Sequence, residues 1–237
     1  MTIFQQYFNR EKKRIAVLLD PDKLNNEQAK YYGEKIENSP ADMILAGGSM
    51  VSNSVSEIIK AIKEVTNKPI ILFPGSSSQF SEEADALLML SLISGRNPEY
   101  LIGEHVKSAF RIKKSGIETI ATGYILIDGG KTTAVQYISN TMPLPADKPD
   151  LVAATAIAGE LLGLKNIYLE AGSGALNPVK KEVIKEVRKY TSLPIMVGGG
   201  MRNLDAINQA FEAGADIAVI GTAFEKNPLF FSDSVLI

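Results

Sequence analysis

Apolar residues along this chain gather into short, nearly unbroken runs, and between the runs they recur every three or four positions. The runs are Arg14 to Asp20 (RIAVLLD), Met43 to Ala46, Pro69 to Phe73, Ala86 to Ile93, Thr119 to Ile127, Ile167 to Leu169, Pro194 to Val197 and Ile217 to Ile220. A short continuous apolar run bounded by turn residues predicts a strand buried on both faces, as in a parallel sheet. The stretches between predict helices: Asn25 to Asn38, capped by Asn25 or Asn26; one capped by Ser52 or Asn53, with Val55, Ile58, Ile59, Ile62 and Val65 on one face; and Glu99 to Ser115. Asp150 to Leu162, Val179 to Tyr190, Leu204 to Glu212 and a last segment after Gly221 that ends in Leu229, Phe230 and Phe231 follow. A short amphipathic lead, Ile3 to Asn9, precedes them.

Two intervals break the alternation. Pro74 to Asp85 carries little apolar stripe and is too short for a crossover helix with its loops, so the third helix is expected to be missing or vestigial. Thr132 to Pro149, with Pro143, Pro145 and Pro149, reads as an insertion. Strand-like and helical stretches otherwise alternate with no linker between halves. That favours one closed (β/α)8 barrel over residues 1–237, with an open doubly wound sheet as the alternative.

Composition narrows the chemistry. A length of 237 residues suits a single barrel, and 45% hydrophobic with 22% charged residues is ordinary for a globular chain. The net charge of −2 gives no electrostatic case for a nucleic-acid partner. Having no cysteine excludes thiolate nucleophiles and Cys-based zinc sites, and with His105 the only histidine a metal must be held by oxygen, which points to a hard ion such as Mg²⁺. The N-terminus lacks the apolar core of a signal peptide and no run reaches the roughly 20 apolar residues of a membrane span, so a cytoplasmic protein without an integral membrane segment is expected.

In a barrel the loops after every strand share one mouth. Glu170 stands at a strand end before Gly172-Ser173-Gly174, and Gly198-Gly199-Gly200 and Gly221-Thr222 occupy similar junctions further on. Glycine loops let backbone N–H groups converge on phosphate oxygens, although strand-end glycines also simply make tight turns. Asp20 and Asp22 follow the first strand: they are either an exit turn or, with Ser49, a Mg²⁺ corner that also uses substrate phosphate. Lys131 and Thr132 reach a diphosphate or belong to a solvated turn, and His105 is a surface or packing residue.

LLDPDK, MILAGGS, FPGSSSQ, GYILIDGGKTTAV, YLEAGSGA, VGGGMR and IGTAFEKNP occur in this order across nearly the whole chain. Together they resemble the geranylgeranylglyceryl phosphate synthase family and its bacterial heptaprenylglyceryl relatives, the shorter Bacillus-type branch being the poorer match. The resemblance implies a TIM barrel whose third helix is replaced by a loop or strand. It also implies a Mg²⁺-dependent transfer of a prenyl group, geranylgeranyl first among them, from its diphosphate to the sn-3 hydroxyl of glycerol 1-phosphate. On the matching positions, Tyr168, Leu169, Glu170, Ala171, Gly172, Ser173 and Gly174, with Gly198 or Gly199, Gly200, Gly221 and Thr222, would bind glycerol 1-phosphate. Asp20 and Ser49 would lie at Mg²⁺ and diphosphate, with Asp22 as the alternative ligand. Where the Bacillus-type branch has a lysine two residues before the first aspartate, this chain has Leu18, so that phosphate contact is absent or supplied otherwise.

The mechanism that follows has Glu170 as general base for the acceptor hydroxyl. The prenyl tail is expected in a trough at the site of the missing helix, flanked by Phe73 and Leu88, unless these are ordinary barrel core. The family forms dimers or hexamers; the Thr133 to Pro149 insertion or the apolar Leu229 to Ile237 would make such a contact, and the insertion is equally read as a lid. A phosphate-binding barrel isomerase or lyase of a small phosphorylated metabolite shares the final glycine loops and is the alternative enzyme. An inactive phosphometabolite-binding barrel is the non-enzyme one.

Overall fold

Eight parallel strands hydrogen-bond in chain order in the computed structural model, which describes residues 1–231. They are β1 (Arg14–Leu19), β2 (Met43–Ala46), β3 (Ile70–Leu72), β4 (Ala86–Leu92), β5 (Glu118–Leu126), β6 (Asn166–Glu170), β7 (Ile195–Gly198) and β8 (Ile217–Ile220). Arg14 to Val17 pair in register with Ile217 to Ile220, so the sheet closes and the open alternative is ruled out. The fold is a TIM barrel, and each apolar run of the sequence is one of its strands.

The helices are α1 (Ile3–Tyr7), α2 (Asn26–Glu37), α3 (Val55–Lys63), α4 (Glu104–Ser115), α5 (Ala134–Ser139), α6 (Pro149–Leu161), α7 (Lys181–Tyr190), α8 (Leu204–Ala213) and α9 (Thr222–Lys226). Asn25 caps α2 by accepting from the Gln28 amide. The cap of α3 is Ser54 rather than Ser52 or Asn53, because those two amides donate instead to the Asp22 carboxylate. Lys180 is extended, so α7 starts at Lys181, two residues later than the periodicity suggests. Phe230 and Phe231 pack back on the barrel after α9, and residues 232–237 of the expected C-terminal contact lie outside the described residues. No helix among the described residues is long and apolar enough to cross a membrane.

Two apolar layers hold the molecule. Val17, Ile44, Ile70, Leu169 and Val197 face outward under the helices, while Ala16, Leu45, Ile71, Leu88, Tyr168 and Met196 fill the barrel interior. The amphipathic lead closes the bottom: Ile3 and Phe4 amides donate to the Glu118 carboxylate at 2.7 and 2.8 Å, and Phe8 plugs the interior. Burying a side chain of that size is worth about 1.5–3 kcal/mol.

Between β3 and β4 there is no α-helix, only a single 3-10 turn, Ser77–Gln79. The buried Gln79 amide takes over part of the missing helix's work. Its Oε1 accepts from Gly48 and Gly75 amides, and its Nε2 donates to the Gly48 carbonyl at 2.8 Å, tying the loops after β2 and β3 together. The insertion after β5 also folds back, since Leu144 bridges Ile127 and thereby extends the β5 edge.

Candidate active site

All strands are parallel, so Asp20 after β1 and Glu170 at the end of β6 open on the same mouth. Glu170 is buried there, with 5% of its surface exposed. Its Oε1 accepts the Gly172 amide at 2.6 Å and the Tyr168 hydroxyl donates to the same carboxylate. Burial pushes the Glu170 carboxyl above its ordinary pKa, and the two hydrogen bonds offset only part of that shift. A carboxylate held this way is a stronger base than one in water. Burial together with the Glu170 charge drives the Tyr168 and Tyr124 phenols well above their usual range, so both are neutral.

The backbone of three loops wraps this carboxylate. Gly198 lies under the Tyr168 hydroxyl and within 3.0 Å, measured from an added Cβ, of Glu170 Oε2. Gly199 and Gly200 have φ of +83° and +71°, and a Cβ on Gly199 would sit 2.6 Å from the Gly172 nitrogen. Ser173 Oγ is 3.2 Å from Thr222 Oγ1, which joins the loop after β6 to that after β8. Among the described residues the Ser173, Gly174, Gly200 and Thr222 amides have no acceptor in the protein. Free amides and two hydroxyls from adjoining loops form a nest suited to an anion the size of phosphate. Leu169 and Ala171 are buried and serve this nest through their backbone: Ala171 N–H donates to the Gly198 carbonyl at 3.0 Å.

The proposed metal corner divides. Asp20 lies beside Gly48, where an added Cβ would be 3.3 Å from its Oδ1, and Ser49 follows at once on the rim. Asp20 Oδ1 also accepts the Asp22 amide, and Lys23 Nζ lies 3.5 Å from Oδ2. Asp22 is engaged elsewhere, its carboxylate accepting Ser52 and Asn53 amides at 2.7–2.9 Å, which holds its pKa below the usual range. One carboxylate and one hydroxyl, with no cluster of three acidic, histidine or cysteine side chains among the described residues, fit only an ion that takes its other ligands from water and phosphate oxygens. Mg²⁺ is such an ion.

A trough of about 860 Å³, counted to its open mouth, occupies the slot of the missing helix. It runs from Gly48, Ser49 and Phe73 at the rim down the outside of β4 past Met89 and Leu87 to Ile112 on α4. Phe73 and Leu88 border it while also belonging to the interior core, so both readings of them hold, and Val135, Ile138 and Ser139 of α5 form one wall, so the insertion is part of the trough. His105 is a packing residue, its Nε2 donating to the Leu90 carbonyl at 2.9 Å. Phe73 and Tyr124, which line the trough, meet Tyr168 of the Glu170 site with ring centroids 5.3–6.0 Å apart. Gln79, Tyr124 and Thr133, which packs on Gly172, escaped the sequence reading; nothing local marks them, because their partners come from other loops.

Comparison with known proteins agrees with this geometry. Geranylgeranylglyceryl phosphate synthase of Flavobacterium johnsoniae is 50% identical over 234 residues, covering 97% of this chain and 96% of that protein. The enzyme of the same name from Chitinophaga pinensis is 49% identical over 228 residues, covering 94% and 90%. The crystal structure of (S)-3-O-geranylgeranylglyceryl phosphate synthase from Thermoplasma acidophilum, in complex with its substrate sn-glycerol-1-phosphate, superposes with a TM-score of 0.92 at 32% identity, covering 98% of this chain and 95% of that one. Residues 8–236 match the PcrB family, and the chain belongs to that family.

Proposed function

We propose that this protein is a prenyltransferase that moves a polyprenyl group, geranylgeranyl as the first candidate, from its diphosphate to the sn-3 hydroxyl of glycerol 1-phosphate, with Mg²⁺ as cofactor. The observation that carries the reading is the position of Glu170, beside an amide nest and next to Tyr168, whose ring packs on the trough residues Phe73 and Tyr124. The names of the relatives and the glycerol 1-phosphate in the Thermoplasma structure support it. An isomerase or lyase of a small metabolite has no use for an apolar trough beside its site.

The nest holds the acceptor phosphate and so fixes the hydroxyl next to Glu170. The hydroxyl oxygen forms a bond to the allylic carbon while the bond from that carbon to the diphosphate oxygen breaks; the proton passes to Glu170 and the diphosphate departs. Positioning supplies much of the barrier lowering and proton acceptance a further part. Mg²⁺, held by Asp20 and Ser49 together with the donor, would neutralise the charge on the leaving diphosphate. A homo-oligomer, dimer or hexamer, belongs to the same reading; exposed apolar side chains such as Ile102, Val106 and Phe110 support it.

Purified protein given labelled glycerol 1-phosphate or glycerol 3-phosphate, with prenyl diphosphates of several lengths, should form ether product from glycerol 1-phosphate only and only with Mg²⁺. Asp20→Asn should raise the Mg²⁺ concentration for half-maximal rate, whereas Asp22→Asn should not. No product with any donor would sink the assignment, and equal effects of the two variants would remove Asp20 from the metal. The trough makes a separate prediction. Met89→Trp and Ser108→Phe narrow it at two levels, and each should shift donor preference to shorter chains by at least about tenfold in relative kcat/KM; an unchanged preference in both would place the tail elsewhere.

A further inference from the structure

The nest after β6, β7 and β8 is built from neutral donors. Arg202, the arginine of the β7 loop, is committed within the protein, donating to the Ala175 carbonyl at 2.8 Å. On β1 the side chain beside Gly221 is Leu18, an apolar group that offers the nest no charge. A phosphate monoester is largely dianionic at neutral pH, and charge-assisted hydrogen bonds are roughly twice as strong as neutral ones. A cation placed beside this nest would therefore strengthen its hold on such a ligand.

The loop after β5 brings a cation to it. Gly130 N–H donates to Asp128 Oδ1 at 2.8 Å, and the Gly129 carbonyl accepts the Leu176 and Asn177 amides at 2.9 and 3.0 Å, clamping this loop to the one after β6. Three residues beyond Gly130, the Thr133 side chain packs against Gly172, where an added Cβ would lie 2.8 Å from its Oγ1. Lys131 sits between these anchors. Its Nζ lies 3.5 Å from the position a Cβ would take on Gly174, one of the residues with a free amide. Among the described residues Lys131 makes no ion pair, and the acid of its own loop, Asp128, is engaged with Gly130.

We propose that Lys131 is an acceptor-binding residue whose ammonium group takes a phosphoryl oxygen of glycerol 1-phosphate, supplying from the loop after β5 the cationic contact that the nest's own loops and β1 do not offer. The proposal rests on the acceptor assignment above. It places the charge on the acceptor and not on the donor diphosphate, which the Asp20 and Ser49 corner serves.

Lys131→Ala should raise KM for glycerol 1-phosphate roughly 10- to 100-fold. Its kcat at saturating acceptor should stay within about threefold, with KM for the prenyl diphosphate unchanged, because the lost contact binds the acceptor equally in ground and transition states. Lys131→Arg should keep most of the affinity. A second readout needs no turnover: glycerol 1-phosphate or inorganic phosphate should raise the Tm of the wild type, and the same concentration should raise that of Lys131→Ala much less. An unchanged acceptor KM and Tm shift, or a loss confined to the donor KM, would overturn the proposal. If Lys131→Ala proves unstable without ligand, the phosphate-induced shift of Lys131→Gln decides in its place. Failure of prenyl transfer in the wild type would refute the proposed function and leave the phosphate shift to judge Lys131 by itself.

Discussion

Glu170→Gln is expected to lower kcat by roughly 10² to 10⁴-fold while leaving glycerol 1-phosphate able to stabilise the protein. The substitution keeps the shape and the acceptor for the Gly172 amide, and it removes the only carboxylate that the Tyr168 hydroxyl and the Gly172 amide orient at the nest. The pH dependence follows from the direction of its pKa. Burial raises the folded-state value above the usual 4.5, so the wild-type rate should fall, as pH is lowered, through a point above the ordinary carboxylate range, and the variant should lack that limb. Stability moves the opposite way. The folded protein holds this proton more tightly than the unfolded chain, so the cost of burying the charge is fully present above the folded pKa and is relieved as pH falls through it. At neutral pH the neutral glutamine should therefore leave the variant at least as stable as the wild type by thermal melting, with the difference shrinking in acid. A folded variant with wild-type turnover would remove Glu170 from the role of base, and a destabilised one would contradict the stability expectation.

Gly199→Ala should cost both stability and chemistry. At φ +83° an alanine strains the backbone by about 1–3 kcal/mol, and its Cβ would run into Glu170 Oε1 and crowd the Gly172 nitrogen at 2.6 Å. The carboxylate and the loop after β6 must then shift together. A misplacement of about 1 Å at a reacting group is enough for a loss near 100-fold, so kcat/KM should drop by at least that much. Gly116→Ala is the matched control: φ there is +71°, yet no atom lies within 4 Å of an added Cβ. It should pay the backbone strain and keep its kinetics. If the two variants fall equally in kcat/KM, crowding at Glu170 is not what Gly199 avoids.

The barrel was legible because the central part of each strand is largely apolar, so even a run as short as Ile217 to Ile220 stands out from the polar stretches beside it. The missing helix was legible for the opposite reason, since Pro74 to Asp85 has neither the length nor the stripe for one. Glu170 and the glycine loops could be found because strand ends in a closed barrel share a mouth, a rule that needs no coordinates. Contacts made between loops were not legible. That Asp22 reaches across to Ser52 and Asn53, that Gln79 staples the β2 and β3 loops, and that the insertion walls the trough all depend on how the barrel closes. Periodicity along the chain carries no trace of such meetings. The cap of α3 was misplaced for the same reason, Ser52 and Asn53 having been taken by a distant carboxylate.

The slot left by the absent helix has a mechanical side. β3 and β4 share two register pairs, whereas β4 and β5 share seven, so the line where the barrel lacks its outer cover is also one of its shortest seams. On the proposed function, a prenyl chain lying along β4 would supply there the apolar contact that a helix supplies on the other sides. Donor and scaffold would then brace each other along that seam.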